Sequence, residues 1–201
     1  LFEHGDLIEK EKHYNMYADM IDYIKRTRPK DDLKTTSEIF ELRKDIIEKN
    51  LFTENFITNM FFLNVVKSGL KLGKSGWVEN FIKNYGSLLT EKYRESTTEL
   101  SYAYLHFEKK DFENSISYYN KLISLEPNIV DNYSNLGVTY FLSKNYLKAE
   151  EMYKKAIELD KNNFSYYYNL AILYDTIKSS EKSTEFYKKA CDLGFKPACK
   201  N

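Results

Sequence analysis

Three columns of side chains recur in phase every 34 residues along this chain of 201. Tyr85, Tyr119, Tyr153 and Tyr187 form the first; Gly69, Ala103, Gly137 and Ala171, all small, form the second; Leu88, Leu122, Ala156 and Ala190 form the third. One such column could be chance among 18 tyrosines. Three in phase, each holding one kind of side chain, could hardly be. A fixed period of this length means that each unit buries its apolar face against its neighbours rather than around one shared centre.

The spacing inside a unit predicts helices. Tyr133, Leu136, Gly137 and Tyr140 fall at i, i+3, i+4 and i+7, one face of a helix. After the polar break Ser143-Lys144-Asn145, the residues Ala149, Met152, Tyr153, Ala156 and Ile157 make a second apolar stripe. Each repeat is therefore expected to be a helical hairpin, the small residue letting the two helices approach and the tyrosine filling the gap beside it. Three prolines, seven glycines and 30% charged residues suit a long helical array better than a sheet protein.

These residues resemble the tetratricopeptide repeat, an aromatic, then Leu-Gly, then Tyr, Ala, an aromatic, Ala and Pro at fixed offsets. Residues 130–163 match with Tyr133, Leu136, Gly137, Tyr140, Ala149, Tyr153 and Ala156, and only the terminal Pro is replaced, by Lys161. Residues 96–129 keep Ala103, Tyr119 and Pro127 but carry Glu99 and His106 at two aromatic positions. Residues 164–197 keep Tyr167, Leu170, Ala171, Tyr174, Tyr187 and Ala190. The resemblance implies an all-α fold, a right-handed α-α superhelix of antiparallel helix pairs. Residues 53–95 read as a degenerate pair with Gly69, Leu72 and Tyr85 in phase but Phe81 at a normally small position, its first helix beginning near Thr53 and longer than the standard one. Residues 198–201 are a tail or the start of a further unit.

Residues 1–52 do not follow the period. A helix over 7–28 is expected to stop at Arg28-Pro29, since proline disfavours helical geometry in the residue before it. A second helix is expected to start near Thr36-Ser37, with Glu38 and Glu41 in its first turn, and to end at Asn50. This hairpin reads as a cap on the open end of the stack. Trp77 reads as an anchor between neighbouring hairpins.

Charge narrows the partners. Thirty basic residues balance thirty acidic ones, which argues against nucleic acid or an anionic membrane as partner. The longest uncharged apolar stretch, Phe61 to Val66, is far shorter than the roughly 20 residues of a membrane helix, so no membrane insertion is expected. We expect a cytoplasmic chain, although Leu1 and the missing leader fit a fragment of a longer protein.

Catalytic signatures are missing. There is no phosphate-binding glycine loop, no His-Glu-x-x-His and no nucleophile elbow. His4, His13 and His106 are scattered, with His106 at a packing position. The carboxylate pairs Asp31-Asp32 and Glu150-Glu151 read as solvated helix surface. The expectation is no enzyme, no cofactor and no metal. Around Tyr187 to Cys199 the sequence resembles the Sel-like cousins of these repeats, which implies a disulfide between Cys191 and Cys199; in a reducing compartment both would be free thiols.

The resemblance also implies that the first helix of each repeat lines a concave groove. The side chains so placed are Thr97, Leu100, Ser101, Tyr104, Phe107 and Glu108, then Asp131, Ser134, Asn135, Val138, Phe141 and Leu142, then Ser165, Tyr168, Asn169, Ile172, Asp175 and Thr176, all expected to be exposed. Leu100, Tyr104, Phe107, Val138, Phe141, Leu142, Tyr168 and Ile172 would form an apolar patch of the kind that marks an interaction site. Asn135 and Asn169 lie one period apart where such repeats use an amide to hydrogen-bond an extended peptide; Asn is also frequent there in the Asn-Leu-Gly consensus. The cations of a chaperone-tail clamp are absent, which argues against a carboxylate-clamp co-chaperone. A protein or peptide partner is the expectation, with self-association through the groove open and a structural spacer with the groove filled in cis as the alternative.

Overall fold

The computed structural model describes residues 4–29, 32–52 and 57–200. Ten α-helices occupy the described residues, in two compact units, residues 1–108 and 109–201.

In the first unit, α1 spans His4–Thr27 and α2 spans Leu33–Glu48. The second helix starts earlier than its sequence suggests because Asp32 caps it, the carboxylate accepting from the Thr35 N–H at 2.9 Å. It also ends earlier, at Glu48 rather than Asn50, which has a left-handed φ of 47°. Helix α3 spans Asn59–Lys71, α4 Ser75–Tyr85 and α5 Glu91–Glu108, with a 3-10 turn at Gly86–Leu88. The expected start of α3 near Thr53 is corrected: Thr53 lies outside the described residues, and the helix begins at Asn59. Ile57 cannot be helical, since it forms a parallel bridge with Leu89, its N–H donating to the Leu88 carbonyl at 2.9 Å. Thr58 then caps α3 by accepting from the Phe61 N–H. At 13 residues, α3 is no longer than its counterparts in the repeats.

One apolar core runs through this unit. Tyr17, Ile21 and Ile24 of α1 and Ile39, Phe40, Ile46 and Ile47 of α2 join Phe62, Val65 and Val66 of α3 and Phe81 of α4. Trp77 sets its ring 5.0 Å from Phe40 and stacks on Phe81, so α4 is tied to α2. The bulky Phe81 also stacks on Tyr85. That turns Tyr85 to a different task from its counterparts, and the space beside Gly69 is filled by Val78 and Phe40 instead.

The second unit contains α6 (Phe112–Leu125), α7 (Val130–Leu142), α8 (Tyr146–Leu159), α9 (Phe164–Thr176), α10 (Ser180–Asp192) and a 3-10 turn at Lys196–Lys200. Each helix packs on the next, and α7 also packs on α9. The turn inside each pair has one design. Lys144 takes a left-handed φ of 64°; its N–H donates to the Phe141 carbonyl, and the Asn145 N–H reaches the Tyr140 carbonyl, both at 2.9 Å. These bonds satisfy carbonyls that the end of a helix leaves open. Lys178 and Ser179 repeat the arrangement with Asp175 and Tyr174.

The turns between pairs are held by tyrosines. Tyr133 Oη donates to the Pro127 carbonyl at 3.0 Å, and Tyr167 Oη to the Lys161 carbonyl at 3.1 Å. The bond needs a carbonyl rather than a proline ring, so Lys161 serves where the consensus has Pro. At the C-terminal end a disulfide joins Cys191 to Cys199, and Phe195 stacks on Phe164 at 4.8 Å.

Two substitutions test these devices. A Cβ on Gly137 would lie 2.6 Å from Tyr153 Cε1 and 2.7 Å from Cδ1. Tyr153 is buried, so its ring has little room to move. Gly137→Ala is expected to destabilise the chain by about 1–3 kcal/mol in urea unfolding, despite alanine's better helix propensity. Lys144→Gly relieves a left-handed residue and is expected to stabilise by about 1 kcal/mol in the same assay.

Candidate functional site

The predicted groove residues fall in both units. Leu100, Tyr104 and Phe107 stand on α5 in the first; Asn135, Val138, Phe141 and Leu142 on α7, with Tyr168, Asn169 and Ile172 on α9, belong to the second. Leu142 is exposed and the other nine are half-buried. The expectation that every position on this face is exposed is corrected at three places, since Thr97, Ser101 and Ser134 are buried. A hydroxyl can be buried cheaply when it bonds its own helix, and Ser101 Oγ donates to the Thr97 carbonyl at 2.7 Å.

Several of these side chains already have work inside the fold. Tyr104 packs against the core of the first unit and holds Lys67 Nζ 5.1 Å from its ring centre. Tyr168 lies edge-on to Phe195 at 4.8 Å and near Tyr187 at 5.8 Å, within a cluster built on Ala171, Ala190 and Ala198. Asp175 accepts from Tyr187 Oη at 3.0 Å, and Asp131 from Tyr166 Oη at 3.4 Å. Burial, then the bond to Asp175, pushes the Tyr187 hydroxyl up to about 12.

Asn135 and Asn169 differ from these. Each is half-buried, and among the described residues neither side-chain amide makes a hydrogen bond. The Asn135 carbonyl accepts from Thr139 Oγ1, so the helix there is locally closed while the amide above it keeps its donors and acceptor. Asn135 stands on α7 with Val138 and Phe141, Asn169 on α9 with Ile172, and α7 packs on α9 within one unit. Phe141 makes a ring contact with Tyr146 at 5.7 Å, which steadies one side of this surface.

The carboxylate pairs read as solvated surface are only partly so. In one, Asp31 lies outside the described residues and Asp32 is the cap of α2. In the other, Glu151 is exposed, whereas Glu150 is half-buried and accepts from Tyr174 Oη at 2.7 Å and Lys154 Nζ at 2.6 Å. Burial alone would raise the Glu150 carboxyl, but the bonds from Lys154 and Tyr174 outweigh it and hold the group below its ordinary value. Burial and the Glu150 bond together push the Tyr174 hydroxyl up. The bond between Tyr174 and Glu150 joins α9 to α8 and is structural. His106 is half-buried near Tyr102, their ring centres 6.5 Å apart. Among the described residues no cluster of His, Cys, Asp and Glu could hold a metal ion, and no helix is long and apolar enough to cross a membrane.

Sequence reasoning passed over two cavities in the first unit. One, of about 580 Å³, is lined by residues of α4, the 3-10 turn and α5, among them Ile82, Ser87, Arg94, Thr98 and Tyr102; the Arg94 guanidinium is engaged by the Leu89 carbonyl. The other lies among α1, α2 and the start of α3 and contains a buried Arg43. A signal for it existed in the sequence: a charge in the apolar stripe Ile39, Phe40, Arg43, Ile46, Ile47.

Comparison with known families gives tetratricopeptide repeat models matching residues 100–129, 130–163 and 152–185. A search of curated proteins by sequence finds no match. Among solved structures, TTC0263, a thermophilic TPR protein in Thermus thermophilus, is similar at a TM-score of 0.65 and 15% identity, over 92% of this chain and 91% of that one. MamA 41-end from Desulfovibrio magneticus RS-1 has a TM-score of 0.62 at 14% identity, over 90% of this chain and 94% of its own. Another MamA crystal structure has a TM-score of 0.59 at 17% identity, over 93% and 94%. At such identities the likeness shows the fold. The tetratricopeptide repeat matches fall within residues 100–185.

Proposed function

We propose that the chain is a non-catalytic scaffold that binds an extended segment of a partner protein across α7 and α9. The observation that carries this reading is the pair of unpartnered amides, Asn135 and Asn169, one repeat apart beside half-buried apolar side chains. An amide donates and accepts at once, which matches the alternating N–H and C=O groups of a peptide backbone. Val138, Phe141 and Ile172 supply the apolar burial and Leu142 its exposed rim.

The packing of Tyr168 on Phe195 favours a second reading in part. If the C-terminal segment fills that end of the surface in cis, the chain is a spacer or docking module of a longer polypeptide. The two readings separate by affinity capture with the wild-type chain and an Asn135→Ala, Phe141→Ala, Asn169→Ala variant checked for helix by circular dichroism. The scaffold reading expects a partner that the variant holds at least about tenfold more weakly. Capture unchanged by the substitutions overturns it, and sedimentation of the chain alone shows whether the partner is a second copy.

The C-terminal end supports a Sel-like termination, with the disulfide tying α10 to the turn that carries Ala198. A persistent disulfide and a cytoplasmic location pull in opposite directions. Protein isolated from its source without reductant is expected to show no free thiol; two thiols per chain would instead place it in a reducing compartment.

A further inference from the structure

Arg43 sits in the buried stripe of α2 between Phe40 and Ile46, with only 9% of its surface exposed. A guanidinium stays charged under ordinary conditions and carries five N–H donors. Among the described residues its one hydrogen bond runs from Nη1 to the Asn64 carbonyl, at 3.4 Å, and that carbonyl already accepts from Ser68 Oγ at 2.6 Å. Among the described residues no carboxylate pairs with it. Asp22, which lines the same cavity, is bonded to Lys25 at 3.2 Å. Burial lowers the Arg43 pKa.

A buried charge without a counter-ion is costly, and removing its partner from such a group is among the more destabilising changes known. Among the described residues no Arg43 nitrogen is both sealed and unpartnered, and the side chain lines the adjoining cavity. That cavity has a volume of about 210 Å³. Ala18 and Ile21 of α1, Ile46 of α2 and Phe61 of α3 form its apolar walls.

We propose that this cavity binds a carboxylate borne on a short apolar body, the carboxylate paired with Arg43 and the body against Ile21, Ile46 and Phe61. The Asp22 and Lys25 charges cancel, leaving one positive charge, which suits a monoanion rather than a phosphate dianion. A carboxylate also matches the planar fork of a guanidinium. The carboxylate can come from a free branched or aromatic acid or from the last residue of a peptide. Arg43 belongs to the first unit, whereas Asn135 and Asn169 belong to the second, so the site stands or falls independently of the scaffold reading.

The test uses the full chain and 3-methylbutanoate, with 3-methylbutanamide as the neutral control, followed by NMR shifts or calorimetry. The acid is expected to bind and the amide not. Arg43→Met should weaken binding at least about tenfold, as loss of a charged hydrogen-bond partner does. Ala18→Leu, which fills the cavity and leaves the guanidinium in place, should abolish it, and it keeps the test alive if Arg43→Met fails to fold. An acetyl-Ala-Leu peptide with a free C-terminus, compared with its amidated form, reports the peptide source. Binding of either carboxylate with sensitivity to both substitutions supports the proposal. No binding of either, equal binding of the amide, or binding unaffected by the folded variants overturns it.

Discussion

The ring of Tyr153 lies against the bare Cα of Gly137, and the pairing of α7 with α8 depends on that contact. A repeat unit has no centre of its own, so the distance between its two helices sets how the next pair can stack. Where the same column carries Gly69, the close approach survives but a different set of side chains uses it. Val78 and Phe40 occupy the space, while Tyr85 stacks on Phe81. The first unit thereby recruits α2 into its core, and a hairpin outside the period becomes continuous with the packing of α3 and α4.

Between pairs, the recurring element is a tyrosine hydroxyl on a turn carbonyl, at Tyr133 to Pro127 and Tyr167 to Lys161. The side chain at the carbonyl residue is free to vary because only its backbone is used. This explains how the array tolerates the loss of a consensus proline. The bonds from Tyr174 to Glu150 and from Tyr187 to Asp175 extend the same logic. An aromatic ring fills the helix interface while its hydroxyl reaches a polar group at the edge. These tyrosines are thus a packing vocabulary more than a binding surface.

The candidate surface was legible where it depends on period and obscured where it depends on neighbours. Asn135 and Asn169 share a repeat position, and the structure leaves both amides without a hydrogen bond among the described residues. Tyr104 and Tyr168 share the same face by spacing, yet Lys67 and Phe195, far from them or outside the repeat pattern, engage their rings. Ser101 and Ser134 were expected to be exposed from their repeat position, and are buried because a small side chain fits between helices. Arg43 shows the converse. Its place in an apolar stripe was a signal the sequence reading passed over, and only the packing of α1 and α3 around it produced a cavity.

The sequence alone determined the helix pairs, their period and the turns, since these follow from spacing of apolar residues and local backbone bonds within a few positions. Helix starts were less secure: α2 begins where Asp32 can cap it, and α3 begins only after Ile57 has paired with Leu89, well over twenty residues away in the chain. Which aromatic rings are internal, which amides stay unpaired and where a buried charge meets a cavity were decided by tertiary structure, because each depends on contacts between elements that no local pattern encodes.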